Sequence, residues 1–130
     1  MLRLDLPTEA HWIDCPYGVR LLCKPLTSAL SHAAGSRGAR RVAEMAKFLP
    51  DDQRFTDPDL RTGMITAEVT LAVAELVVEA WEGVGTADGS AAAPLTPEGL
   101  RALLSLPDIA RAFNVGLDAP LARLVAEGNA

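Results

Sequence analysis

Histidine and cysteine are scarce in this chain, two of each in 130 residues. That leaves little from which to build a metal centre, and neither a C-x-x-C nor an H-E-x-x-H spacing is present to make ligands converge. His11 and His32 therefore read as structural or solvent-facing. Cys15 and Cys23 are also too few for the disulfide framework of a small secreted domain. They flank a turn and read as small buried hydrophobes, because a reactive thiolate needs a cationic or helix-terminal setting. Positive charge is short as well: 12 Lys and Arg stand against 17 Asp and Glu, a net charge of -5 at pH 7. A surface made to follow phosphate backbones would need the opposite balance.

Long apolar runs are missing. The most apolar window, Val69 to Trp81 (VTLAVAELVVEAW), falls short of the roughly 20 residues a membrane helix requires and carries Glu75 and Glu79. The opening MLRLDLPTEAHWIDCP contains acids, a proline and no apolar core of signal-peptide length, so a cytoplasmic protein is expected. No G-x-S-x-G elbow, Walker loop or dinucleotide fingerprint occurs. Glu75 and Glu79 stand one helical turn apart without a second catalytic group nearby, and they read as a hydrated stripe. Asp88-Gly89 lacks the alternating oxygen ligands and closing Glu of a calcium loop and reads as a turn. The expectation is a non-enzyme with no catalytic residue, no cofactor and no metal.

What is present suits one mainly α domain with a small N-terminal β-hairpin, since a chain of this length buries roughly two-thirds of its unfolded surface. Residues 1–24 carry the hairpin signal: WIDC, a Pro-Tyr-Gly turn, then VRLLCK. With Tyr17 and Gly18 as the loop, alternation puts Val19, Leu21 and Cys23 on one face with Trp12. Residues 25–82 read as two longer helices. Thr27 or Ser28 caps the first, whose apolar face is Leu30, Ala34, Val42, Met45 and Leu49, while Gly35 and Gly38 each weaken it by roughly 1 kcal/mol relative to Ala.

Pro50 to Pro58 is a polar loop that ends on an Asp57 cap. The second helix then runs to Trp81 and is apolar almost all round. Glu68, Glu75, Glu79 and Glu82 form its narrow wet stripe, and Trp81 plugs the core at its last turn. Residues 83–96 form a loop in which Gly83 and Gly85 end that helix and Asp88-Gly89 turns the chain. Residues 97–128 read as short helices: Thr96-Pro97-Glu98 opens one, Pro107 opens another that Gly116 ends, and Asp118 caps the last.

The cluster Gly35-Ser36-Arg37-Gly38 with Arg40 and Arg41 has the outline of a GxxG nucleic-acid loop, but the strands and helices such a loop needs around it are not visible. An arginine patch in water or against acids is the preferred reading.

In the order Trp81-Glu82-Gly83-Val84, Asp88-Gly89, Pro94 and Thr96-Pro97-Glu98 before a Leu-rich helix, the chain resembles the tail assembly chaperones of long-tailed bacteriophages or prophages. Trp12-Ile13-Asp14, Gly18-Val19-Arg20 and Pro25-Leu26-Thr27 resemble that family's N-terminal strands and the start of its first helix. Phe113, Pro120, Leu124 and Glu127-Gly128-Asn129 resemble its closing helices. The sequence departs from the pattern at Gly128, where a basic residue is expected, and in the glycines of the first helix.

The resemblance implies a non-enzymatic assembly factor of the host cytoplasm. Such a factor binds the tape-measure protein, helps recruit tail-tube subunits and is absent from the mature virion. Arg37, Arg40, Arg41, Met45, Val73 and Val77 are the expected partner-binding residues, with self-association also open. Trp12, Gly18, Trp81, Gly83, Asp88, Gly89, Thr96 and Phe113 are the expected structural motif. A structural tail completion or connector protein is the first alternative reading and a small nucleic-acid-binding regulator the second.

Overall fold

A computed structural model describes residues 2–49 and 56–128, with side chains described as far as residue 125. Among the described residues the strands and α-helices follow in the order β1 (His11–Asp14), β2 (Arg20–Cys23), α1 (Ser28–Lys47), α2 (Pro58–Val77), β3 (Val78–Glu82), α3 (Pro97–Leu104) and α4 (Pro107–Gly128), with a 3-10 turn at Pro16–Gly18 between β1 and β2. The protein is mainly helical with a small antiparallel sheet, as the sequence leads one to expect. Two compact units make it up, one of residues 27–76 and the other of residues 1–26 with 77–130. Most of the predicted loop from Pro50 to Pro58 lies outside the described residues.

In the first unit, α1 and α2 begin where the sequence places their caps. Thr27 Oγ1 accepts from Leu30 N at 3.2 Å, and Asp57 Oδ1 accepts from Asp59 N at 2.9 Å, so each cap satisfies an orphan donor of the first turn. The buried residues of α1 are Ala34, Gly38 and Val42, spaced four apart. Gly38 is more than a weak point, because a Cβ there would sit 2.8 Å from Val69 N and 2.9 Å from Val69 Cα. The missing side chain lets the two helix backbones approach. Glu68 is buried rather than wet, and Glu75 forms a two-pronged pair with Arg41, its second arm 2.9 Å long.

The second unit contains the largest departures from the sequence reading. The hairpin is present, with Cys15 N bonded to Val19 O and β1 pairing β2 so that Trp12 faces Leu22 and Ile13 faces Leu21. On the β2 side the expected face holds, with Val19, Leu21 and Cys23 buried together, but on β1 the phase is the opposite: Ile13 joins them, while Trp12 remains 36 % exposed. A one-residue difference in phase inverts a strand, and here the β-branched Ile13 takes the dry side.

The long apolar helix stops at Val77, and Val78–Glu82 becomes the third strand, in the order β1-β2-β3. Trp81 therefore lies opposite Leu21 on a strand, half-buried, and not on the last turn of a helix. A β-branched pair, Val77-Val78, followed by an aromatic residue suits a pleated surface, and pairing with β2 overrides the helical period. Gly83, at φ +79, ends the strand instead of a helix.

Gly116 does not end a helix either. The two short C-terminal helices are one, α4, which runs through Gly116 and Pro120. Pro120 has no N–H to give the Gly116 carbonyl four residues earlier. His11 Nε2, from the start of β1, lies 3.2 Å from that carbonyl oxygen and supplies the missing donor. A Cβ at Gly116 would fall 2.4 Å from Ile13 Cγ2, so the glycine lets α4 lie directly on β1. Ile109, Phe113, Leu117 and Leu124 line the buried side of this helix and form the core with Leu21, Leu100 and Leu103. Burying each such side chain contributes about 1.5–3 kcal/mol.

Candidate protein-interaction surfaces

The residues expected to bind a partner are divided between the two units. Arg37, Arg40, Arg41, Met45 and Val73 belong to the helical unit, whereas Val77 belongs to the sheet unit and is fully buried, with no surface to offer. Arg41 is committed to Glu75, and the hydrogen bonds of that pair raise the guanidinium pKa still further. Arg40 is exposed and Arg37, Met45 and Val73 are half-buried, which reduces the proposed arginine patch to two cations.

Four of the structural-motif residues, Gly18, Trp81, Gly83 and Thr96, by contrast, converge. A Cβ on Gly83 would meet Gly18 O at 2.1 Å, so two distant glycines let the ends of two loops touch. Trp81 Nε1 donates to Ala93 O at 2.9 Å, and the edge of its ring covers Gly99. Thr96 Oγ1 accepts from Gly99 N at 3.0 Å and fixes the start of α3 against the same indole. Asp88 Oδ1 accepts from Ser90 N, Ser90 Oγ and Thr86 Oγ1, which holds its carboxyl down to about 2, while Gly89 takes φ +73 in the turn. Phe113 is among the largest fully buried side chains. Trp12 lies under the Arg20 guanidinium, 4.6 Å from its ring centroid, and Arg20 also pairs with Asp14 and Glu82.

The thiols are poor nucleophiles. Burial, with Cys15 and Glu79 as lesser contributors, pushes Cys23 up to about 12, and burial beside Asp14 raises Cys15. Among the described residues no three His, Cys, Asp or Glu side chains cluster as a metal site.

Two open grooves border α4, one of about 540 Å³ against residues 5–11 and one of about 330 Å³ against β1, and both have His11 and Arg123 in their walls. The sequence reading missed this face. Its signal is the spacing of Ala112, Gly116 and Ala119 beside an apolar Val115 that is 65 % exposed. Small residues three and four apart along a helix keep one flank low. Further apolar side chains stay exposed, Leu121 and Val125 on α4 and Phe48 and Leu60 in the helical unit.

No protein-family model, curated protein or solved structure matches the chain. Among the described residues no helix is long and apolar enough to cross a membrane.

Proposed function

We propose that the protein is a non-enzymatic assembly factor of the phage tail assembly chaperone kind, which binds a tape-measure protein and helps recruit tail-tube subunits in the host cytoplasm. The observation behind this reading is the convergence of motif residues that lie far apart in sequence. Gly18, Trp81, Gly83 and Thr96 are among the residues that carry the resemblance, and all four meet or brace one another around the junction of β2, β3 and α3. A pattern of short phrases gains weight when its members share one structural job. Apolar side chains left exposed on α4, Val115, Leu121 and Val125, fit a role in binding proteins.

In such a role the client's amphipathic helices would dock through anchors at i, i+3 and i+4. The test is co-purification of the full chain with overlapping fragments of the tape-measure protein encoded beside it, at low and high salt. Capture of at least one fragment that survives high salt is the expected result, since apolar contacts are not screened. Failure to retain any fragment refutes the reading. Mass spectrometry of purified particles separates a chaperone, which is missing from them, from a completion or connector protein, which stays.

A further inference from the structure

We propose that the outer edge of β1, with the flank of α4 beside it, takes up an extended segment of another polypeptide as an added antiparallel or parallel strand. In the sheet, β1 is an edge strand, and β2 is its only partner among the described residues. Cys15 and Val19 are hydrogen-bonded across the hairpin, and bonded pairs alternate along an antiparallel ladder. Ile13 and His11 therefore spend their main-chain groups on β2. Trp12 and Asp14 direct theirs outward, and an unpaired strand edge is a ready template for another chain.

The space beside that edge fits a strand. The groove of about 330 Å³ runs between β1 and α4, and its helical wall is Ala112, Val115, Gly116 and Ala119. Side chains of an added strand would alternate, one set falling on this low flank, where the exposed Val115 offers an apolar contact. A helix in the groove would leave the main-chain groups of Trp12 and Asp14 unanswered. Charge narrows the occupant further. Asp14 is already paired with Arg20, and Arg123, at the end of the groove, makes no ion pair among the described residues. Asp5 and Glu9 line the adjoining groove and limit the acidic charge the site accepts. The occupant is an extended, mainly apolar segment with one acidic side chain set against Arg123. A second copy of this chain, with its net charge of -5, is the poorer fit.

The proposal is independent of the assembly reading, because its probe contains no tape-measure sequence. The probe is a fluorescein-labelled synthetic peptide of alternating valine and threonine with one glutamate, titrated with the intact wild-type protein and read by fluorescence anisotropy. Saturable binding is expected, with the amide signals of Trp12 and Asp14 shifting in NMR spectra. N-methylation of the peptide on the edge that faces β1 removes two hydrogen bonds and weakens binding about tenfold. Methylation of the opposite edge is tolerated. Ala119→Trp fills the groove and blocks the probe, and Arg123→Gln weakens it several-fold at low salt with little loss at high salt. Absence of saturable binding overturns the proposal, as does equal binding of both methylated peptides. A concentration-dependent dimer that Ala119→Trp abolishes, with no peptide bound, assigns the edge to a second copy and overturns it as well.

Discussion

In the helical unit the closest backbone approach is Gly38 on Val69, between two helices whose caps and periodicity are written within a few residues of each position. In the sheet unit the corresponding approaches, Gly83 on Gly18 and Gly116 on Ile13, join residues from opposite parts of the chain. Both units use glycine to bring backbones together. In the first, local sequence announces both elements being joined, whereas in the second it announces the hairpin but neither β3 nor the unbroken α4, so the two regions differ in how readily they can be foreseen.

The largest expected effect tests the non-local side of that contrast. Gly83→Ala combines a positive φ with a contact against the Gly18 carbonyl, and it should destabilise by about 3 kcal/mol or more in urea unfolding. A loss no larger than that of an ordinary surface alanine would mean that the junction of the two loops is not close-packed. The helical unit provides a paired measurement of opposite sign. Gly38→Ala should cost about 2 kcal/mol because Val69 backbone stands in the way, whereas Gly35→Ala, which meets nothing within 4 Å, should stabilise by up to about 1 kcal/mol. Equal effects would erase the distinction between a packed and an idle glycine.

Each unit also has one polar link whose removal is measurable. Arg41→Gln leaves Glu75 without its bidentate partner, and with side chains 29 % and 16 % exposed the loss should be about 1–2 kcal/mol, between the surface and buried limits. In the sheet unit His11→Ala should cost about 1 kcal/mol by orphaning the Gly116 carbonyl. In a Pro120→Ala background, where the helix again has its own N–H for that carbonyl, the same change should cost less. A double-mutant cycle without coupling would show that the histidine serves some other purpose.

The smallest effect belongs to Asp88. Its native pKa lies below the ordinary value of 3.8, so its contribution is complete above about 4 and fades as pH falls toward about 2. NMR titration should place the midpoint near the lower figure, and Asp88→Asn should flatten stability over that acid window, with a small loss at neutral pH that disappears toward its acid end.

Much of the first unit was legible because capping is a short-range transaction: Thr27 and Asp57 act on amides two or three residues away. Thr96 and the Asp88-Gly89 turn were legible for the same reason. The strand at Val78–Glu82 was not, since VVEAW satisfies a helical stripe until β2 stands beside it to be paired. Its β-branched valines and the aromatic before Gly83 were the available cue. Gly116 read as a break, and Asp118 as a new cap, because glycine so often ends a helix, and only the distant ring of His11 answers the Gly116 carbonyl that Pro120 leaves without a donor. The low flank of α4 went unnoticed for a similar reason. Small residues gain meaning from the strand edge that they leave open.

The chain leaves the sheet unit after Leu26 and returns at Val77, and close to these points a 2.9 Å hydrogen bond runs from Lys24 N to Val77 O. Such a pinched neck makes the intervening helices an insertion in the architectural sense, since points of exit and return that lie side by side are where nature and engineers splice domains. Replacing residues 27–76 with a tight two-residue turn would convert β1, β2 and β3 into a simple meander. The module's two ends would then already be in place for a different cargo between them.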